Sequence, residues 1–145
     1  MPSERISHRV LRFISAHGST LYEKQGHTVD AGHYAAMLRR NYISAPCGAM
    51  CRRDVFEVVD GFNPSLSVCA DYDFYLRVLR HFPAWSHDLE VGEYRRHGLG
   101  LSARSGQMLR EALTVLRSQR PYVKGDPALA RAYRSGIRFW KSVAA

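Results

Sequence analysis

The sequence predicts a mixed α/β fold that ends in helices. Its length of 145 residues, with 46% apolar and 23% charged residues, suits one ordinary globular domain. Apolar and polar residues alternate loosely in residues 5 to 15 and again in residues 81 to 97, which is typical of strands. A helical period follows Asp71, Ser105 and Asp126. Strands and helices are therefore both expected, with helices last.

The N-terminal third predicts a strand, a loop and a helix. Residues 5 to 15, RISHRVLRFIS, carry the alternation of a strand. Residues 17 to 32 mix Gly, Ser, Thr and Asp, a composition that favours a loop. A helix is expected from about residue 32 to residue 40. The small, weakly polar residues 41 to 53 then predict a buried strand and a turn.

The middle of the chain predicts two helices and a strand. Residues 53 to 58 form a short helix in front of the turn DGFNPS. Asp71 is placed to begin the next helix. The apolar face of that helix contains Phe74, Leu76, Val78 and Leu79. Residues 81 to 97, HFPAWSHDLEVGEYRRH, then return to the alternation of a strand.

Two further helices are predicted after residue 104. The first begins at Ser105 and is closed by Pro121. Its apolar face contains Met108, Leu109, Ala112, Leu113 and Leu116. Asp126 and Pro127 suit the N-cap and the first position of the second helix. The apolar stripe of the second helix contains Leu129, Tyr133, Ile137 and Trp140.

Positive charge is concentrated in the last third of the chain. Residues 1 to 94 hold 10 Lys and Arg against 11 Asp and Glu, a net −1, whereas residues 95 to 145 hold 11 against 2, a net +9. A basic stripe on the last helix contains Arg131, Arg134, Arg138 and Lys141. Such a stripe is either a solvated face or a contact for an anionic lipid or ligand. Nucleic acid is not the expected partner, because no helix-turn-helix, zinc finger or RNA-binding signature accompanies the charge.

Four segments, in order, carry a resemblance to a known family. They are LRRNYI (38 to 43), CRRDVFEVVDGFNPSL (51 to 66), ADYDFYLRV (70 to 78) and HFPAWSHDLEVGEYRRHGLGLS (81 to 102). From Asn41 to Ser102 the chain resembles the C-terminal half of the family 2 glycosyltransferases, inverting enzymes with the GT-A fold. The resemblance implies a partial GT-A-like α/β domain over residues 1 to 103, the acceptor side of a nucleotide-sugar transferase. A basic helical tail would follow over residues 104 to 145.

The resemblance also implies roles for individual residues. Asp71 matches the catalytic base, which takes a proton from the acceptor hydroxyl. The helix dipole is expected to lower the pKa of Asp71, since that residue lies at a helix start. Asp73 cannot share its helix face and is expected to be structural, capping the helix or pairing with an arginine such as Arg77. His97 matches a histidine near the metal and the diphosphate, with Arg95 and Arg96 as further phosphate contacts.

Three positions depart from the family pattern. Ala70 stands where the family has the glutamate of its Glu-Asp pair, Asp60 replaces the first glycine of a Gly-Gly turn, and Asn63 replaces an aspartate. Asp60 is expected to adopt the backbone geometry that the glycine would have supplied, which Asp tolerates better than most residues.

The family's nucleotide-binding half, with the Asp-x-Asp ligands of Mg²⁺ or Mn²⁺, has no counterpart in this sequence. With that half as partner, the protein would be a hexosyltransferase-type enzyme that uses a divalent metal, a nucleotide-sugar and a hydroxyl acceptor. The resemblance to one half of an enzyme leads us to expect a fragment, one piece of a split gene or a degenerate remnant. The alternative function is a non-catalytic module that binds a membrane surface or partner through the basic helix. No stretch approaches the roughly 20 apolar residues that cross a bilayer, so the expected location is the cytoplasm or the inner face of the membrane.

Overall fold

The computed structural model describes residues 6–24, 29, 32–43, 45–97 and 104–143. These residues form four strands and five α-helices. In chain order they are β1 (Ile6–Ile14), β2 (Thr20–Lys24), α1 (His33–Arg39), β3 (Ala49–Cys51), α2 (Arg53–Val59), α3 (Ala70–Leu79), β4 (Ala84–Arg95), α4 (Ser105–Ser118) and α5 (Pro127–Ser142). The predicted mixed α/β class is confirmed.

The four strands form one sheet around β1. Strand β4 pairs with β1 in parallel along most of its length, whereas β2 and β3 pair antiparallel with its C-terminal and N-terminal parts. Since a strand has only two edges, β2 and β3 share the edge opposite β4. The sheet is therefore narrow, with β1 as its only strand paired on both sides among the described residues.

Strand β2 lies within the segment that was predicted to be a loop, so that part of the prediction is wrong. The chain reverses at Gly18, which has a φ of 90°, and the Ser15 hydroxyl oxygen accepts hydrogen bonds from the amides of His17 and Ser19. The ring of Tyr22 then stacks on Phe13, with ring centroids 4.7 Å apart. Pairing with β1 makes a strand of residues whose composition alone favours a turn.

The main core lies among the helices. Helices α1, α3, α4 and α5 and the segment after α1 contribute to it, and its most deeply buried side chains include Met37, Leu38, Tyr72, Leu76 and Leu116. Gly136 of α5 is part of this packing, because a Cβ there would overlap the Leu38 carbonyl oxygen at the end of α1. Helices α4 and α5 thus share one core with α1 and α3. No helix in the described ranges is both long and apolar enough to cross a membrane.

Two local predictions concern helix ends, and both are confirmed. Asp60 ends α2 with a φ of 56°, the left-handed geometry that favours glycine. At the start of α5, Oδ1 of Asp126 accepts hydrogen bonds from the amides of Ala128 and Leu129 at 2.8 and 3.0 Å. Pro127 occupies the first helical position, as expected.

Candidate functional site

The candidate site is a cavity of about 410 Å³ between the sheet and the helices. It lies where the two buried clusters of the protein meet, since Ala45 and Tyr94 belong with the sheet, while Cys69 and Tyr72 belong to the helical core. The lining residues are Asn41, Ala45, Pro46, Phe62, Ser67, Val68, Cys69, Ala70, Asp71, Tyr72, Tyr94, Met108 and Trp140. Most of the wall is apolar or aromatic, and Asp71 is the one acidic side chain among the described residues that line it.

Asp71 lies on the cavity wall in the first turn of α3. Its Oδ1 accepts a hydrogen bond from the Tyr72 amide at 2.8 Å. Burial raises the pKa of the Asp71 carboxyl, although hydrogen bonds from the Tyr72 amide, the Asn41 side chain and its own amide act to lower it. The expectation that the helix start lowers this pKa is therefore wrong, because desolvation outweighs the favourable donors.

Asp73 has a different environment from Asp71, as predicted. It is 6% exposed and forms an ion pair with Arg77, whose Nη2 lies 2.8 Å from Oδ2. The guanidinium of Arg77 also donates hydrogen bonds to the carbonyl oxygens of Val59 and Gly61. The Asp73–Arg77 pair therefore attaches α3 to the turn after α2, and this structural role leaves Asp71 as the carboxylate that faces the cavity.

Glu111 of α4 holds the segment that leads into α3. Its carboxylate accepts hydrogen bonds from the amides of Ser67, Val68 and Cys69 at 3.1, 2.8 and 2.9 Å, and from the Ser67 hydroxyl and the Gln107 side chain. Partial burial acts to raise its pKa, but these hydrogen bonds outweigh that effect and lower the pKa to about 2. Glu111 therefore holds the N-cap residue Cys69 and the two residues before it from another helix, while Asp71 accepts from an amide within the first turn.

Sequence reasoning missed the role of Glu111, because the backbone amides that it accepts hydrogen bonds from lie 42 to 44 positions away along the chain. One signal was present, since Glu111 and Asp126 are the only acidic residues from position 95 onward. Both turn out to accept hydrogen bonds from the amides at or just before the start of a helix. In this protein, an acidic residue isolated in a basic segment therefore indicates an acceptor for backbone amides at a helix start.

The three residues predicted to bind phosphate lie just after the cavity wall. Tyr94 lines the cavity, but Arg95, Arg96 and His97, all exposed, are not among the described residues that line it. The guanidinium of Arg95 donates hydrogen bonds to the carbonyl oxygens of Ser15 and Ala16 at 3.3 and 2.9 Å, at the β1–β2 turn. Their role at a diphosphate stays a prediction.

A metal site is not evident in the part of the chain that the structure describes. No group of three or more His, Cys, Asp or Glu side chains there is arranged to hold an ion. His97 is the one residue for which a metal role was predicted, and a single exposed imidazole does not make a site on its own. The described residues therefore do not fit a divalent metal without further ligands.

No protein-family model matches this chain, and a search of the curated proteins likewise gave no match.

Proposed function

We propose that this chain carries the acceptor side of an inverting, GT-A-like glycosyltransferase similar to family 2. The reaction would transfer a sugar from a nucleotide-sugar to a hydroxyl acceptor. The observation that supports it most directly is the position of Asp71, a carboxylate on the wall of a cavity of about 410 Å³, with its pKa raised by burial. The four family-like segments supply the reaction class, and the cavity supplies a place for the acceptor.

Asp71 would act as the general base. Its carboxylate takes the proton of the acceptor hydroxyl as that oxygen attacks the anomeric carbon. The new carbon–oxygen bond forms on the face opposite the departing nucleotide diphosphate, whose bond to the sugar breaks, so the configuration inverts. A raised pKa makes the carboxylate a stronger base, and a fixed position on a helix start keeps it within reach of the hydroxyl.

The walls around Asp71 suit an organic acceptor. Phe62, Tyr94 and Trp140 bring aromatic side chains to the cavity from three different parts of the fold. Ligand pockets are commonly lined by apolar and aromatic side chains with a few polar groups that fix orientation. Here Asp71 and Asn41 are the polar groups that would orient the reacting hydroxyl.

Donor binding is assigned to a second half that would be this chain's partner. In this proposal Arg96 and His97 meet the diphosphate, while Arg95 supports the β1–β2 turn through its carbonyl contacts. Because the described residues do not fit a divalent metal, its ligands would come from that half. Nucleotide-sugars and this protein would meet in the cytoplasm.

The test is acceptor binding, because the acceptor cavity lies within this chain. Saturation-transfer NMR with a panel of mono- and oligosaccharides is expected to show contact with the wild type. Ala70→Phe, which narrows the cavity at the start of α3, should abolish that signal. Glu57→Gln, on the exposed face of α2, should leave it unchanged. Equal signals from the wild type and Ala70→Phe would argue against this cavity as the acceptor site.

Catalysis is tested by replacing the base. In a transfer assay that contains a nucleotide-binding half, Asp71→Asn should reduce the rate by at least about a hundred-fold, the lower range for loss of a general base. Asp54→Asn is the matched control, because Asp54 is also the second residue of its helix. Comparable losses in both variants would contradict the role of Asp71.

For the chain alone, calorimetry with Mn²⁺ should detect no nucleotide-sugar binding, and micromolar affinity would overturn the assignment of the donor to another half.

A further inference from the structure

The outer face of α5 carries a continuous basic stripe. Arg131, Arg134, Arg138 and Lys141 are all exposed. At 100° per residue they lie within about a quarter of the helix circumference. The opposite face of α5 packs into the helical core through Ala132 and its apolar neighbours. The helix has no acidic residue, so nothing within it offsets the stripe.

The acidic residues of the neighbouring segment, residues 104 to 143, do not neutralise the stripe either. Residues 104 to 143 contain nine Lys and Arg and two acidic residues, Glu111 and Asp126. Glu111 accepts hydrogen bonds from the amides before α3, and Asp126 accepts them from the first amides of α5. Both carboxylates therefore act on backbone amides and not on the arginines of the stripe. Like charges gathered in this way favour an anionic surface as partner.

A recess continues the stripe at the start of α5. It has a volume of about 490 Å³, and Arg120, Lys124 and Arg134 are the basic residues on its walls. Arg134 belongs to both the stripe and the recess. Asp126 also lines the recess, but its Oδ1 accepts the two helix amides. A phosphate group that entered the recess would meet three cationic side chains directly beside the stripe.

Two exposed apolar side chains lie on another side of the helix. Phe139 is 37% exposed and Val143 is 63% exposed. At 100° per residue they lie about 120° and 160° around the helix from the centre of the stripe, so docking on the stripe would be electrostatic. Nucleic acid carries the same phosphate charge, but no nucleic-acid-binding signature accompanies the stripe in this sequence. Clusters of four or more Lys and Arg on an amphipathic helix are typical of contact with anionic lipid, so the pattern favours phospholipid.

We propose that the α5 face and its recess dock this protein on a surface of anionic phospholipid. The stripe lies over the headgroups, and the recess takes one phosphate. This docking is independent of Asp71 and of any glycosyl transfer, because neither the stripe nor the recess includes a residue of the cavity at α3.

Vesicle co-sedimentation tests the proposal. The wild type is expected to bind vesicles of phosphatidylcholine mixed with phosphatidylglycerol, and to be released by high salt. It should not bind phosphatidylcholine alone. Each basic residue near an anionic surface contributes a factor of about five, so Arg134→Gln combined with Arg138→Gln should weaken binding by about 25-fold. The matched control combines Arg52→Gln with Arg53→Gln, which removes the same charge from exposed positions at α2.

Three results would overturn the proposal. The first is no binding to the anionic vesicles by the wild type. The second is an equal loss in the stripe and control variants, which would show only an effect of net charge. The third is retention on a duplex oligonucleotide without vesicle binding. Circular dichroism should show that all variants keep the wild-type helix content, and because the four substituted arginines are exposed, a folding defect is not expected.

Discussion

Glu111 shows at the scale of one residue how the start of α3 is held. The amides of Ser67, Val68 and Cys69 converge on its carboxylate, and Asp71 follows two residues after the last of them. The first turn of α3 contains two carboxylates of its own, those of Asp71 and Asp73. The Glu111 carboxylate is a third at this helix start, and it comes from α4. Its hydrogen bonds fix the backbone on which the proposed base depends.

Replacement of Glu111 by Gln should therefore destabilise the protein. Loss of a charged acceptor at a helix start costs about 1–2 kcal/mol at neutral pH. The folded state lowers the pKa of Glu111 from 4.5 to about 2, so this stabilisation is complete above the ordinary pKa and is lost as the pH falls toward 2. Urea unfolding should show a clear gap between wild type and variant at neutral pH that closes at low pH. A gap of the same size at both pH values would contradict the argument, and Glu57→Gln should show no gap at either.

Asp60 is a second residue at this scale, and its backbone conformation should reduce the free energy of unfolding by a measurable amount. Its φ of 56° is in the left-handed region, and the next residue, Gly61, has a φ of 62°. Asp60→Gly should raise the free energy of unfolding by about 1 kcal/mol, because glycine adopts this geometry without strain. Gly61→Ala should lower it by a similar amount, although a Cβ there would meet no atom within 4 Å. Thermal unfolding measures both changes in stability. If Gly61→Ala stabilised the protein, strain in the left-handed backbone would not be the cause of these changes.

At the scale of elements, α1 and α5 pack closely against each other. Gly136 lies against the Leu38 carbonyl at the end of α1, and no side chain fits between the two backbones. This approach brings α5 close enough for Trp140 to lie 6.0 Å from the Tyr72 ring and to form part of the cavity wall. The absence of a side chain at Gly136 therefore helps to determine the shape of the candidate site.

Gly136→Ala should cost about 2–3 kcal/mol, the upper range for overpacking, since backbone must move to admit the methyl group. Gly106→Ala is the control, because α4 leaves room for its Cβ, 3.7 Å from the flexible end of Arg110. That control should be neutral or stabilising by up to about 1 kcal/mol through helix propensity. Chemical denaturation measures the free energy of unfolding of both variants. Equal losses would show that Gly136 is needed for backbone flexibility and not because a methyl group fails to fit there.

The elements predicted well from sequence are those specified by local chemistry. The N-cap at Asp126, the left-handed turn at Asp60 and the Asp73–Arg77 pair each depend on residues at most four positions apart, and all are confirmed. The missed features depend on distant partners. Strand β2 exists through its pairing with β1, and the pKa of Asp71 is raised because the folded chain buries it. Local patterns carry no information about such burial.

At the scale of the whole molecule, the basic tail, residues 104 to 145, differs in charge from residues 1 to 103. The described helices of the two parts nevertheless share one core. Ala112, Val115 and Leu116 of α4 and Ala132 of α5 are buried together with Met37 and Leu38 of α1 in one cluster. The tail helices also supply Glu111 and Trp140 to the surroundings of Asp71. The basic face of α5 is thus the outer surface of an element whose inner surface completes the core and the cavity.

A chain that ends at residue 103 should therefore fail to fold cooperatively. Removal of α4 and α5 would expose side chains such as Leu38 and Tyr72, now at most 1% exposed, and would leave the amides before α3 without the Glu111 carboxylate. Leu116→Ala tests the same contact within the intact chain, with an expected cost of about 2–5 kcal/mol. Calorimetry of the truncated chain should show no unfolding peak, whereas the full chain should show one. A sharp transition in the truncated chain would mean that its core is complete without the tail, and that α4 and α5 are a separable module on its surface.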